Sequence, residues 1–260
     1  MSTPNEVAIR AVASRLRADG CVVTISGEGA DELFGGYGLP LMSAHEFVEG
    51  GGEGGGEGGA GLFALDSAAW VPMGWKGMVL AGDVWEGLDD DAALLGAYEE
   101  EVEACREECG VEGLSVYLRL QRRVNLTGLL QRLDTATMLA GVEGRTPFAD
   151  ARVARLAEGL PLGLKFDAAA GAGPAGTKRV LREAFGNVVP AGVVGRAKAS
   201  FPLPFREWMG PAARGLGESG FARAVFSEEA LGMVAADPRA NWRLAWPILN
   251  VAMWGDGVWG

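Results

Sequence analysis

The sequence predicts an α/β fold in which a short parallel sheet is combined with a mostly helical carboxy-terminal part. A helix, a strand, a glycine-rich turn and a second helix follow one another over residues 5–34, an order typical of α/β proteins. Apolar residues recur at helical spacing through most of residues 112–187. Hydrophobic residues form 48% and charged residues 22% of the 260 positions, so we expect a packed core rather than a disordered chain.

The first helix and strand are the clearest elements. Apolar residues have helical spacing across NEVAIRAVASRLRADG (5–20), and Gly20 is placed to end the helix in a left-handed conformation. The run CVVTI (21–25) is short, apolar and bounded by turn residues. It is therefore predicted to form a buried parallel strand.

A glycine and glutamate segment then interrupts the pattern. EGGGEGGGEGGAG (49–61) offers no side chain for a core, so we predict a flexible, disordered linker or surface insertion. The following stretch, 62–87, contains Trp70, Trp75 and Trp85, which are predicted to pack because exposed tryptophans are costly.

The rest of the chain is predicted to be mainly helical. Helices are expected at 89–109, 112–140 and 150–160, with another at 177–187 that is capped by its opening threonine, and an apolar segment at 241–254 is expected to dock on the body. GAGPAG (171–176) matches the glycine spacing of a dinucleotide-binding turn, but no strand precedes it, so it is not interpreted as a nucleotide site.

Composition excludes several classes of function. The net charge of −11 opposes a general role in binding nucleic acid or anionic lipid, so no nucleic-acid or membrane partner is expected. His45 is the only histidine, which excludes a multi-histidine metal site within one chain. Cys21, Cys105 and Cys109 cannot form a disulfide framework, and no signal or membrane-spanning segment is apparent, so a cytoplasmic location is predicted.

The turn after the predicted strand has the chemistry of a phosphate site. Glycines in SGEGADELF (26–34) let backbone N–H groups approach an anion, and a helix amino terminus adds donors. Glu28, Asp31 and Glu32 would repel a bare phosphate unless a divalent cation or a lysine offsets them. A nucleotide with magnesium resolves this conflict; alternatively, Asp31 and Glu32 only favour the first helical turn.

Five segments in order resemble the synthetase domain of the glutamine-dependent asparagine synthetase family. The resemblance covers most of the chain except about 45–110, and the five segments share their order and plausible spacing with that family. They are SGEGADELFGGY (26–37), LLQRLDTATMLAGVEGRTPFAD (129–150), LPLGLKF (160–166), TKRVLREAF (177–185) and GRAKASFPLPFREW (195–208).

This resemblance implies an ATP-pyrophosphatase-type fold, similar to the adenine nucleotide alpha hydrolases, and an AMP-forming ligase. In the family, a carboxylate of aspartate attacks the α-phosphate of ATP, pyrophosphate leaves, and ammonia then displaces AMP to give asparagine. By the same resemblance, Ser26 and Gly27 contact the nucleotide, Glu28 is the base for ammonia, Asp31 holds Mg²⁺ and Lys198 stabilises developing negative charge. ATP and Mg²⁺ are thus the implied cofactors.

Other residues of the matching segments are predicted to be structural. Glu143 and Arg145 are interpreted as an ion pair under the active site, and Arg132 and Asp134 are treated likewise. Thr-Gly at 127–128 stands where many relatives have acidic residues, so the substrate is expected to be aspartate or another small carboxylic acid.

Two parts of the family pattern are absent from the sequence. Ser2 occupies the position of the nucleophilic cysteine of the glutaminase domain, and no S-G-G-x-D-S pyrophosphate loop occurs. Residues 1–260 are therefore predicted to form a partial synthetase domain with exposed apolar surface and a tendency to associate, as one piece of a split enzyme, a truncated product or a remnant. Activity is expected to need a protein partner or the missing amino-terminal half. The alternatives are a non-catalytic interaction module and a related ATP-dependent cyclase or amide ligase.

Overall fold

The computed structural model describes residues 5–51, 59–109, 113–199 and 203–259, which are mostly helical with one small parallel sheet. This composition is compatible with the predicted α/β class. The strands are β1 (Val23–Ile25) and β2 (Glu143–Arg145). The helices are α1 (Asn5–Ala18), α2 (Ala30–Phe34), α3 (Gly38–Glu49), α4 (Ala60–Ala68), α5 (Met73–Val79), α6 (Gly82–Gly87), α7 (Ala92–Cys109), α8 (Leu114–Leu120), α9 (Leu126–Met138), α10 (Ala151–Gly159), α11 (Arg179–Phe185), α12 (Ala191–Val194), α13 (Phe205–Ala212), α14 (Gly220–Val225), α15 (Glu228–Ala236) and α16 (Trp242–Trp259).

The described residues divide into two compact units. One lies within residues 2–59 and 101–201 and contains both strands; we call it the strand-containing unit. The other lies within residues 60–100 and 202–260 and is called the helical unit. No described helix is long and apolar enough to cross a membrane.

The strand-containing unit begins as the sequence predicts. Helix α1 ends at Ala18, and Gly20 follows it with φ +86°, the left-handed conformation that glycine adopts at low cost. Strand β1 then pairs with β2 in parallel, with Val23 opposite Glu143 and Ile25 opposite Arg145. The parallel strand is therefore confirmed, although β2 was seen in the sequence only as part of a motif.

The prediction that the first strand is buried is wrong. The strand starts at Val23 rather than Cys21, and Val23 and Ile25 are 52% and 75% exposed. The physical reason is that the sheet within the described residues has only two strands, so no further strand or covering layer shields β1. This exposed apolar strand agrees with the predicted exposed apolar surface.

Most of the predicted helices of this unit are present. A π-helical turn over Gln121–Asn125 joins α8 to α9, and the Asp150 side chain caps α10 by accepting from the Arg152 N–H at 2.8 Å.

The predicted threonine cap of the next helix is wrong. Lys178, with φ +48°, precedes α11, and the Thr177 hydroxyl instead donates to the Gly173 carbonyl at 2.9 Å.

The helical unit has an aromatic core. Phe205 packs against Trp246 with ring centroids 4.8 Å apart, and Trp70 lies 6.1 Å from both Phe205 and Trp242. Helix α16 buries Trp246 among them, which confirms the predicted docking of the closing segment. Trp75 is 55% exposed, so its predicted packing is wrong: the aromatic cluster is filled without it.

The glycine and glutamate segment falls largely outside the described residues. Helix α3 ends at Glu49 and α4 begins at Ala60, whereas residues 52–58 are not described. The predicted disorder of 49–61 therefore stays a prediction for those seven positions.

Candidate active site

The turn after β1 is fixed by backbone contacts. The Ser26 N–H donates to the Arg145 carbonyl at 2.8 Å, which continues the parallel ladder one residue past the strand. Gly29 then begins α2 with φ +96°, where a side chain would also approach the backbone of Phe148 and Ala149. At Gly27 nothing lies within 4 Å of the place of a Cβ, so this stretch of backbone is open to a ligand.

Two lysines that are far from Asp31 in the sequence contact its carboxylate. The Nζ atoms of Lys178 and Lys198 lie 2.8 Å and 2.9 Å from Asp31 Oδ1. Burial raises the pKa of Asp31, but the hydrogen bonds and charges of both lysines outweigh it and hold that pKa below its usual range. Asp31 is therefore an anion held between two cations.

Lys178 is a site residue that the sequence analysis missed. The sequence analysis placed Lys178 in the first turn of a helix over TKRVLREAF. In the structure its backbone is left-handed, a conformation that costs about 1–3 kcal/mol and is common at functional sites. Gly36 completes this arrangement, because a Cβ there would overlap Asp31 Oδ1 and Lys178 Cε. The two adjacent glycines of FGGY could have indicated that other side chains approach the backbone closely at this point.

A cavity of about 730 Å³ opens beside this cluster. Its charged lining contains Asp31 and four basic residues, Lys178, Arg182, Arg196 and Lys198, in a protein whose net charge is −11. Positive charge is thus concentrated locally, as binding of a phosphate group requires. The apolar wall consists of Phe148, Leu181, Phe185, Val189, Val193 and Val194.

Glu28 pairs with an arginine that lies far from it in the sequence. Its Oε1 accepts from Arg132 Nη2 at 2.8 Å. Arg132, which the sequence analysis treated as structural together with Asp134, thus forms an ion pair with Glu28. The family motifs predict that Glu28 and Lys198 converge on one cavity. Glu28 lies in the same turn as Asp31 but is not among the residues that line this cavity, so the convergence stays a prediction.

Glu143 and Arg145 do form an ion pair, but its surroundings differ from the prediction. Arg145 Nη2 lies 3.5 Å from Glu143 Oε1, and their side chains are 68% and 46% exposed. The predicted place under the active site is wrong, since both side chains point from β2 to an open face of the two-stranded sheet. Such an exposed pair contributes little to stability.

Behind the lysines lies a second set of polar contacts that the sequence analysis missed. Lys198 Nζ is 4.1 Å from the centroid of the Tyr37 ring, and the Tyr37 hydroxyl donates to Glu32. Glu32 is 2% exposed, and burial raises its pKa although the Tyr37 hydrogen bond opposes this. Burial, followed by the charge of Glu32, also raises the pKa of Tyr37, so its hydroxyl stays a donor.

The donor set fits a magnesium ion that arrives with a nucleotide. Within the part of the chain that the structure describes, no group of three or more His, Cys, Asp or Glu side chains could hold a metal ion. Asp31 can supply one carboxylate ligand, and Mg²⁺ usually takes its remaining ligands from phosphate oxygens and water. The two lysines that now contact Asp31 would then face the phosphates.

A parallel strand pair, a glycine turn and a basic cluster thus occur together in a mostly helical fold that is compatible with the α/β class. The family model described as asparagine synthase matches residues 1–256. The chain therefore belongs to the asparagine synthase family.

Curated relatives agree with this family. Asparagine synthetase (glutamine-hydrolyzing) 1 of Bacillus subtilis is 28% identical over 214 residues, covering 72% of this chain and 31% of the relative. Asparagine synthetase (glutamine-hydrolyzing) 3 of the same organism is 28% identical over 186 residues, covering 70% and 26%. A protein of Mycobacterium tuberculosis, provisionally named as a glutamine-hydrolyzing asparagine synthetase, is 38% identical over 81 residues, or 31% of this chain and 12% of the relative. The chain thus matches a third or less of the length of these relatives.

Proposed function

We propose that this chain carries part of the synthetase site of an ATP-dependent asparagine synthetase with an ATP-pyrophosphatase-type fold. The observation that carries the proposal is the meeting of Lys178 and Lys198 at Asp31, in the same turn as the open backbone of Gly27. Membership of the asparagine synthase family supports the same reaction. The cytoplasm, where ATP is available, is the proposed location.

The proposed reaction has two steps. A carboxylate oxygen of aspartate attacks the α-phosphorus of ATP, the bond to the bridging oxygen breaks, and pyrophosphate leaves. Ammonia then attacks the acyl carbon of β-aspartyl-AMP and loses a proton, and AMP leaves with the former carboxylate oxygen. Magnesium, when bound, neutralises charge on the phosphates.

The residues of the turn and the two lysines have separate roles in this proposal. The Ser26 hydroxyl and the Gly27 N–H contact the nucleotide, since the Ser26 N–H already donates to Arg145, and Asp31 contributes one ligand to Mg²⁺. Lys178 and Lys198 offset the negative charge that grows on the departing pyrophosphate. Because the two ammonium groups already lie within 3 Å of one carboxylate oxygen, they need little rearrangement to face a phosphate.

Glu28 is proposed to accept the proton of the attacking ammonia. Arg132 contacts one of its two carboxylate oxygens, which fixes the orientation of the group and leaves Oε2 for the proton. Arg132 is therefore a positioning residue.

A related amide ligase or cyclase is the second candidate. Thr127 and Gly128 lie exposed at the start of α9, where many relatives carry acidic residues. Loss of those carboxylates would change recognition of the substrate's amino group, so a different small carboxylic acid remains the alternative substrate. A non-catalytic module that retains the fold is a further alternative.

Binding of Mg²⁺-pyrophosphate by the chain alone tests the lysine cluster. We expect measurable binding by calorimetry, and a loss of about tenfold or more in Lys178→Met, because a charge-assisted hydrogen bond contributes about 1.5–3 kcal/mol. Lys76→Met is the matched control, since Lys76 pairs with Asp91 in the helical unit. Equal affinities of the two variants would contradict the proposed phosphate site.

A further inference from the structure

A second cavity in the strand-containing unit has no role in the proposed reaction. Its volume is about 300 Å³, and it shares no lining residue with the cavity at Lys178 and Lys198. Helix α8 and the π-helical turn at Gln121–Asn125 border one side, and residues 158–162 border another. Single π turns within helices are frequent at functional sites, and this one borders the cavity.

Positive charge exceeds negative charge around this cavity. Arg119, Arg122 and Lys165 line it together with the two acids Glu158 and Glu32. Glu158 is already shared, since its Oε1 contacts both Arg119 and Arg122, the latter at 2.6 Å. Glu32, described above, is likewise engaged, since it accepts a hydrogen bond from the Tyr37 hydroxyl, and the three basic residues still outnumber the two acids.

Two donors at this cavity lack partners. Lys165 is 8% exposed, and among the described residues its Nζ has no hydrogen-bond acceptor and no carboxylate within ion-pair distance. Burial lowers the pKa of Lys165, as is usual for an ammonium group removed from water, and the charge of Glu158 opposes this effect. The buried Nε of Arg122 likewise has no hydrogen-bond partner in the described part of the chain. A buried donor such as Arg122 Nε is costly unless something accepts from it.

The remaining lining is aliphatic. Leu118, Leu160 and Leu162 contribute to it, with Leu33 and Pro161 beside them. A volume of about 300 Å³ lies at the lower end of the range for small-molecule sites, which favours a small ligand. A ligand that satisfies Lys165 and Arg122 while covering these leucines must be both anionic and short.

We propose that this cavity binds a small aliphatic carboxylate, whose carboxylate accepts from Lys165 and Arg122 and whose hydrocarbon part contacts Leu118 and Leu162. Aliphatic walls with a few converging polar groups are the usual composition of small-molecule sites. The inference concerns a site separate from the proposed synthetase site and does not depend on that function.

Titration of the full chain with pentanoate at constant ionic strength tests this site. Pentanoate is expected to bind saturably in calorimetry and to raise the thermal midpoint, while pentanamide and pentylamine, equal in shape, do neither. Lys165→Met should weaken pentanoate binding about tenfold or more. Without ligand, this variant should unfold at the same or a higher temperature, because it removes a buried unpaired charge.

Two further variants make the result decisive. Lys76→Met, in the helical unit, should bind pentanoate as the unchanged chain does. Ser115→Leu keeps every charge but fills part of the cavity, so it should also weaken pentanoate binding. This variant tests the site even if Lys165→Met fails to fold. The proposal is overturned if pentanamide binds as well as pentanoate, if pentanoate does not bind, or if Ser115→Leu retains full affinity.

Discussion

The chain alone is expected to release little pyrophosphate from ATP with Mg²⁺, aspartate and ammonia, and an added amino-terminal half should raise that rate by several orders of magnitude. Alignment of reacting groups accounts for about 7–11 kcal/mol of barrier reduction in well-positioned reactions. The described site supplies Asp31, Lys178 and Lys198 for this task, with one carboxylate for the metal. A second phosphate loop with its own carboxylate would complete the alignment.

The two-stranded sheet indicates where such a half would add to the structure. Strand β1 exposes Val23 and Ile25, and the neighbouring Val22 is also 54% exposed. An added parallel strand would cover this surface and bring its carboxyl end next to the Ser26–Gly29 turn.

The experiment uses the region of Bacillus subtilis asparagine synthetase 1 that precedes its match to this chain. Pyrophosphate release is measured for each piece and for the mixture, with association checked by light scattering. Full activity of the chain alone would show that the second loop is not needed. An inactive mixture of folded, associated pieces would favour the non-catalytic module.

Replacement of Lys198 by methionine in the complemented enzyme is expected to lower kcat for amide synthesis by about 10²–10³. Removal of one preorganised donor to developing negative charge has this order of effect in other enzymes. The Lys198 side chain is 46% exposed, so its loss should leave the thermal midpoint almost unchanged. A fall in kcat larger than the rise in KM would show that Lys198 acts mainly on the transition state.

Lys76→Met serves as the control for removal of a lysine elsewhere. A Lys198→Met enzyme with unchanged kcat would remove this lysine from the mechanism and leave Lys178 as the main cation. Equal losses in Lys198→Met and Lys76→Met would indicate general damage to the protein.

The sequence allowed local elements with strong patterns to be predicted. Helix α1, its glycine stop and a parallel β1 followed from apolar spacing and turn residues in one short segment. These features depend on neighbouring residues or on several residues of one motif.

Features that depend on distant partners were not predicted. The exposure of β1 depends on how many strands the sheet contains, which local hydrophobicity cannot reveal. The partner of Glu28 is Arg132, 104 positions away, whereas the sequence analysis grouped Arg132 with the nearby Asp134. Lys178 was missed because its left-handed backbone separates it from the helix that its sequence suggested.

The fate of a labelled oxygen tests the central claim most directly. Aspartate with ¹⁸O in its side-chain carboxylate is supplied to the complemented enzyme with ATP, Mg²⁺ and ammonia, and the AMP is examined by mass spectrometry. The proposed attack of this carboxylate on the α-phosphorus predicts one ¹⁸O atom in each AMP and unlabelled pyrophosphate. Unlabelled AMP, or formation of ADP and labelled phosphate, would contradict it.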